Sequence, residues 1–173
     1  TYNVPTKRGD GANGAGIHPI FMYFFTDFIK AEVAARRGDT PGARAALNTA
    51  VSNSITAVRA FANGRGQTLS TTEPSTTTYL NAVLTAFDGA SNKLDEIGRE
   101  FYKAAWGNGV EAYNSYRRTS APRNFQPTLQ SNAGPWVRSL VYPQTYVALA
   151  GGTAKDPNVV NKVFWDGNTE TLK

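Results

Sequence analysis

Few residue types in this chain could make or break a bond. Its 173 residues include one histidine and no cysteine, which excludes disulfides, thiolate metal sites and His-rich metal sites. His18 precedes Pro19 at an expected helix start and reads as a surface or capping imidazole rather than a general base. Asp95, Glu96 and Glu100 could supply an acid–base pair. Arg99 and Lys103 interleave with them, however, so the group reads as a solvated, ion-paired helix face. The run DGNTE at 166–170 has the alternating oxygen ligands of a calcium loop but lacks the glycine that an EF-hand carries at its sixth position. Gly9-Asp10-Gly11-Ala12-Asn13-Gly14 matches a dinucleotide fingerprint in spacing alone. The preceding TYNVPTKR is a poor buried strand, and no alternation of strand and helix follows it. No serine occupies a GxSxG elbow. These residues predict a protein that is not an enzyme, with no catalytic residue, no cofactor and no metal.

One stretch stands out instead. EAYNSYRRTSAP, residues 111–122, sets Tyr113 and Tyr116 beside Arg117 and Arg118 at the end of a predicted helix, which Pro122 stops. Further aromatic residues are Trp106, Trp136, Tyr142, Tyr146 and Trp165. Aromatic faces match the C–H surfaces of sugars and peptides, although in helical arrays they more often fill gaps in a core. Trp106, Trp136, Tyr146 and Trp165 are the candidate ligand contacts.

The elements that must position these side chains follow from composition and period. With 40% hydrophobic and 18% charged residues, the chain can bury a core and is read as one folded domain. The net charge of +5 is spread over basic runs no longer than two, so no stripe for nucleic acid exists. No stretch approaches the ~20 apolar residues of a membrane span. The most apolar window, HPIFMYFFTDFI, is interrupted by Asp27 and followed by Lys30. The opening TYNVPTKRGDGANGAGI, beginning on Thr1, reads as loop and as part of a longer or processed protein.

Apolar residues then recur at helical spacing. Phe21, Phe24, Phe25, Phe28 and Ile29 predict a first helix from Pro19, closed by Gly38. Thr40 as cap and Pro41 as first helical residue predict a second, carrying Leu47, Val51, Ile55, Val58 and Phe61. So short a turn forces the two to run antiparallel over a shared core. After the polar QTLSTTEPST linker, Ser75 caps a third helix bearing Tyr79, Leu80, Val83, Leu84 and Phe87. Ser91 or Asn92 opens a fourth, with Leu94, Ile97, Phe101 and Ala105 on one side and an Asp95–Arg99 pair on the other. Gly107-Asn108-Gly109 separates it from a short fifth helix ending near Arg118. Beyond, five prolines or glycines exclude long helices, and WVRSLVYP suggests a brief extended segment. The expected architecture is mainly α: tetratricopeptide-like paired helices with a long irregular carboxyl-terminal segment. Residues 1–18 are loop, 19–118 the helical scaffold, and 119–173 an irregular segment packed on it.

GNGVEAYNSYRRTSAP resembles the E-aromatic-x-x-aromatic-R-R-T-G-x-P signature of the SusD/RagB family of Bacteroidetes nutrient-capture lipoproteins. FMYFFTDFIKAEVAARRGDTPGARAALNTAVSNSI, with Ala31-Glu32 at an A-E position, is similar to the family's paired helices. KLDEIGREFYKAAWGNG, LVYPQTYVALAGG and VFWD resemble further segments in the same order. The likeness covers nearly the whole chain and corresponds to the family's carboxyl-terminal part. Ser120 stands where glycine is usual, and Tyr146 and Leu149 where an acidic residue and asparagine are common, which points to the SusD-like 2 branch. The resemblance implies a noncatalytic receptor on the cell outer membrane, exposed at the surface and held by an amino-terminal lipid anchor. It would capture an oligosaccharide or, in some branches, a peptide, and work with a SusC-like TonB-dependent transporter. It also implies that Arg117 and Arg118, with Tyr113 and Tyr116 beneath and Glu111 as ionic partner, staple the irregular segment to the helices. A free-standing helical-repeat adaptor for protein partners is the rival reading.

Overall fold

The structure is a computed structural model that describes residues 17–64, 75–123, 125–126, 129–131, 134–150 and 159–169. The glycine-rich segment before residue 17 and most of the polar linker lie outside these. Six helices and no strand are present among the described residues: α1 (Tyr23–Arg36), α2 (Thr40–Asn63), α3 (Thr76–Gly89), α4 (Lys93–Ala104), α5 (Gly109–Thr119) and α6 (Gln144–Ala150). The fold is mainly helical and built from paired helices.

The α1–α2 hairpin is set by its turn. Gly38, at φ +78°, donates its N–H to Ala35, and the Asp39 N–H reaches back to Ala34, which closes α1 in a Schellman arrangement. Asp39, rather than Thr40, then caps α2: its carboxylate accepts the Gly42 N–H at 2.9 Å. Both residues can cap a helix, and the carboxylate sits one position earlier, where the third helical N–H is in reach. A side chain at Gly42 would collide with that carboxylate, since a Cβ there would lie 2.0 Å from Asp39 Oδ2. The helices run antiparallel, because the Tyr23 hydroxyl at the start of α1 bonds the Asn53 carbonyl far along α2, at 3.1 Å.

Side-chain caps start the other long helices. Ser75 Oγ accepts from Thr78 N, Asn92 Oδ1 from Leu94 N and Asn108 Oδ1 from Glu111 N. Asn108 also donates to the Ile20 carbonyl at 2.9 Å, tying the segment before α1 to the α4–α5 turn.

The core gathers Phe24, Phe25, Phe28 and Ala31 of α1, Ala43, Leu47, Ala50 and Val51 of α2, Val83 and Phe87 of α3, and Ile97 and Phe101 of α4. Phe101 packs against both Phe25 and Phe28, with ring centroids 5.2 and 5.1 Å apart. Small residues at 31, 43 and 50 let α1 and α2 approach closely where larger side chains would hold them apart. The buried stripe of α1 is rotated from the expected one. Phe21 and Ile29 are exposed, and Ala31 and Glu32 turn inward instead.

Three local expectations are corrected. Asp95 and Arg99 do not pair: Asp95 accepts from Arg123, and Arg99 pairs with Glu96, one residue closer to it. Glu96 and Glu100 are buried rather than solvated, each held by a half-exposed cation of the next turn. Residues 136–143 form no strand; the Arg138 and Ser139 N–H groups converge on the Val159 carbonyl at 2.7 and 3.0 Å. The seven-residue α6, which follows Pro143, was not anticipated by the proline pattern.

Candidate functional site

The end of α5 gathers hydrogen bonds from three distant parts of the chain. Its last carbonyls lack partners within the helix, as at any helix terminus. Buried Asn168 satisfies Arg117 O from its backbone at 3.0 Å, and its side chain gives Tyr116 O a second donor at 3.1 Å beside the Ser120 N–H. A third, Arg118 O, accepts from Arg36 of α1 at 3.1 Å. Ser120 continues the chain in the left-handed region at φ +61°, a conformation that favours glycine. Its hydroxyl accepts the Thr169 N–H at 3.2 Å, a bond that glycine could not make.

Arg117 and Arg118 leave the helix in different directions. The Arg117 guanidinium lies over the Tyr113 ring (4.1 Å) and the Trp165 ring (4.4 Å), and bonds Arg138 O and Asn114 Oδ1, both at 2.8 Å. Its Nε is buried without an acceptor among the described residues, a cost that the stacking offsets. Arg138 in turn forks onto Asp166 at 2.9 and 2.6 Å and bonds Asn168 O. Burial alone would raise the Asp166 carboxyl, but Arg138 and the Asn168 N–H outweigh it and hold it below its ordinary value. Asp166 is thus spent on an internal fork.

Arg118 turns to the helices. It forks onto Glu32 of α1 at 3.0 and 2.9 Å, and Arg36 holds the same carboxylate at 2.9 Å. Burial acts to raise the Glu32 carboxyl, yet the two guanidinium groups together hold it below its ordinary value. Glu111, the expected ionic partner, forms no ion pair among the described residues; its backbone N–H serves the Asn108 cap. The geometric reason is direction. Glu111 opens α5, whereas Arg117 and Arg118 close it, so neither guanidinium reaches back. Glu32 was visible in the sequence only as part of the Ala31-Glu32 pair.

The four candidate ligand contacts fall in three places. Trp136 packs on Tyr116 (5.5 Å, edge-on) and Tyr113 (5.9 Å), and Trp165 covers Arg117, so both belong to the α5 cluster, each 37% exposed. Tyr146, on α6, meets Tyr142 edge-on at 5.7 Å. Trp106 stands alone in the turn after α4, 90% exposed.

Trp106 borders a cleft of about 520 Å³ between α2, α3 and α4, lined also by Val51, Ile55, Arg59, Tyr79 and Lys103. Its polar wall is a triad that local sequence reasoning missed. The Tyr79 hydroxyl donates to buried Glu100 at 2.6 Å, Lys103 binds the other carboxylate oxygen, and Lys103 Nζ lies 3.1 Å from the Tyr79 oxygen. The Glu100–Lys103 spacing was legible; Tyr79, 21 positions away, joins only through packing. Burial and the adjacent carboxylate raise the Tyr79 hydroxyl above its ordinary value. Burial would lower Lys103, but Glu100 and Tyr79 outweigh it and raise it. No cluster of metal-ligating side chains occurs among the described residues, and no helix among them is long and apolar enough to cross a membrane.

Residues 2–143 match the SusD-like 2 family model, described as "Starch-binding associating with outer membrane". The match spans well over half of the chain, and the protein belongs to this family. No curated protein and no solved structure matches the chain.

Proposed function

We propose that the protein is a noncatalytic, surface-exposed glycan receptor that works with a SusC-like TonB-dependent transporter of the outer membrane. The observation that carries this reading is the family match across residues 2–143. In this reading residues 19–118 are scaffold and docking surface, and residues 119–173, irregular apart from the short α6, pack on them as one arm. Tyr113, Tyr116, Arg117 and Arg118 hold the arm, with Glu32 replacing Glu111 in the ionic part of the cluster. A lipid anchor upstream of the chain holds the receptor at the membrane. The glycan is an oligosaccharide, and a peptide is the alternative cargo.

The test is isolation of the native protein from outer membranes in mild detergent, followed by calorimetry with neutral oligosaccharides. Expected are co-isolation with a TonB-dependent transporter, saturable binding of at least one oligosaccharide, and recovery of that ligand intact after long incubation. A protein that co-isolates with soluble partners and binds no oligosaccharide would instead be the helical-repeat adaptor. Ligand cleavage would make it a hydrolase.

A further inference from the structure

The cleft beside Trp106 joins an apolar wall to an uncompensated cation. Val51, Ile55 and Val58 of α2 and Ala104 of α4 form the wall, and Val58 stays 64% exposed. Arg59, next to Val58 in the lining, is exposed and has no ion pair or hydrogen bond among the described residues. Lys103 gives one N–H to Glu100 and one to Tyr79, which leaves a third for the opening. Glu100 offers no acceptor there: it is buried, and its two oxygens are taken by Tyr79 and Lys103. Lys103 offsets Glu100, so Arg59 leaves the cleft positive.

Trp106 is held at the border of this cleft by an anchored turn. Gly107 turns the chain at φ +86°, and Asn108 locks it through its bonds to Glu111 N and Ile20 O. A fixed backbone thus presents an exposed indole beside apolar side chains, a tyrosine and an unpaired guanidinium. Tryptophan, tyrosine and arginine around an apolar centre are the residues that carry most of the binding energy at protein interfaces. A carboxylate meets a guanidinium in a two-point fork, and an apolar side chain beside it would release water from Ile55, Val58 and the indole. Two cations are too few to hold a polyanion such as nucleic acid.

We propose that the cleft between α2, α3 and α4 is a docking groove for an acidic, apolar peptide segment of a partner protein, whose carboxylate meets Arg59 and whose apolar side chain packs on Ile55, Val58 and Trp106. This rests on the part of the receptor reading that makes residues 19–118 a docking surface, and adds the groove and the chemistry of its occupant. Trp106 is then a docking residue rather than a contact for the nutrient, apart from Trp136 and Trp165, whose rings serve the α5 cluster.

Selection of a displayed random-peptide library on the wild-type chain tests it, followed by calorimetry of the selected peptides on wild type, Arg59→Glu, Trp106→Ala and Arg37→Glu. All three replaced side chains are exposed, and circular dichroism checks that each variant is folded. Lys103 is kept, because its loss would leave Glu100 buried and without its cation. Selected peptides are expected to carry Asp or Glu beside an aliphatic or aromatic residue. Their affinity is expected to fall at least about tenfold in Arg59→Glu and in Trp106→Ala, and to hold in Arg37→Glu, the same charge change outside the lining. Binding is also expected to weaken as salt rises, because Arg59 is exposed. In the native protein, a photoreactive benzophenone side chain at position 58 is expected to mark an acidic, apolar segment of another protein, and to lose that mark when Arg59→Glu is added. Selection of no peptide, of neutral or basic peptides, or of peptides that bind Arg59→Glu and Trp106→Ala as tightly as wild type would overturn the groove. So would a mark only on lipid, on glycan or on a second copy of the chain. Transporter co-isolation and oligosaccharide binding are read separately, so any of these results overturns the groove and leaves the receptor reading standing.

Discussion

Arg118 and Glu32 meet in a two-point fork although 86 positions separate them in the chain. The contact joins the last turn of α5 to the buried side of α1. Removing Arg118 leaves a buried carboxylate with Arg36 as its remaining cation. Loss of one partner from a buried pair is costly, but the partial exposure of Arg118 and the presence of Arg36 reduce the effect. Arg118→Ala is expected to lower unfolding stability by about 1–3 kcal/mol, and Arg118→Lys by less, measured by urea denaturation.

The same pair sets a pH dependence. The Glu32 carboxyl is held below its ordinary value of 4.5 in the folded protein, so the unfolded chain binds the proton more tightly. Its contribution to stability is complete above that value and is lost as the pH falls through the lower folded one. Other depressed carboxyls, Asp27, Asp88 and Asp166, act in the same direction. The informative quantity is therefore the difference between wild type and Arg118→Ala. That difference is expected to be constant near neutrality and to shrink below about pH 4.5. Urea midpoints measured across this interval check it, and a pH-independent difference would contradict the linkage.

Arg117 acts on the other side of α5. Replacing it with alanine removes two ring contacts and the bond to Arg138 O. A loss of about 1–3 kcal/mol is expected, together with a change in Trp165 emission, because the indole loses the cation that it covers. Arg117→Lys keeps the charge without the planar fork and is expected to recover only part of the stability.

Gly98 reverses a familiar rule. Glycine to alanine inside a helix ordinarily stabilises by about 1 kcal/mol. Here a Cβ would lie 2.3 Å from the Ala121 Cβ and 3.2 Å from its carbonyl carbon, so the chain after α5 would have to move. Gly98→Ala is expected to destabilise by about 1–3 kcal/mol, read as a lower Tm.

The cap of α2 gives a fourth comparison. Asp39→Ala is expected to cost about 1 kcal/mol, whereas Thr40→Ala, one position inside the helix, should be close to neutral in thermal melts.

The helices were legible because apolar residues recur at a period that only a helix can place on one face. Ser75 is legible as a cap and Asn92 as one of two candidates with Ser91, because such side chains act on N–H groups two or three residues ahead. The choice between Asp39 and Thr40 was not, since either oxygen could serve and the backbone decides. Within the α5 cluster, Tyr113 and Arg117 could be placed together from helical spacing alone. The partners of Arg117, at 138 and 165, and of Arg118, at 32, depend on how distant segments pack. Glu100 departs from expectation for the same reason: beside Arg99 and Lys103 in the sequence it looks solvated, whereas in the fold it is buried and takes the Tyr79 hydroxyl of α3.

Asn168 completes α5 from 52 positions downstream. At a synthesis rate of about 5–20 residues per second, α5 exists for roughly 3–10 s before that side chain is made. During that interval the Tyr116 carbonyl has the Ser120 N–H, and water must serve the Arg117 carbonyl. The closing of the helix therefore waits on a segment made well after it. Ribosome-bound chains in which Asn168 has not yet emerged are expected to be cut by protease near residue 118, and those extended by a linker so that it has emerged to resist.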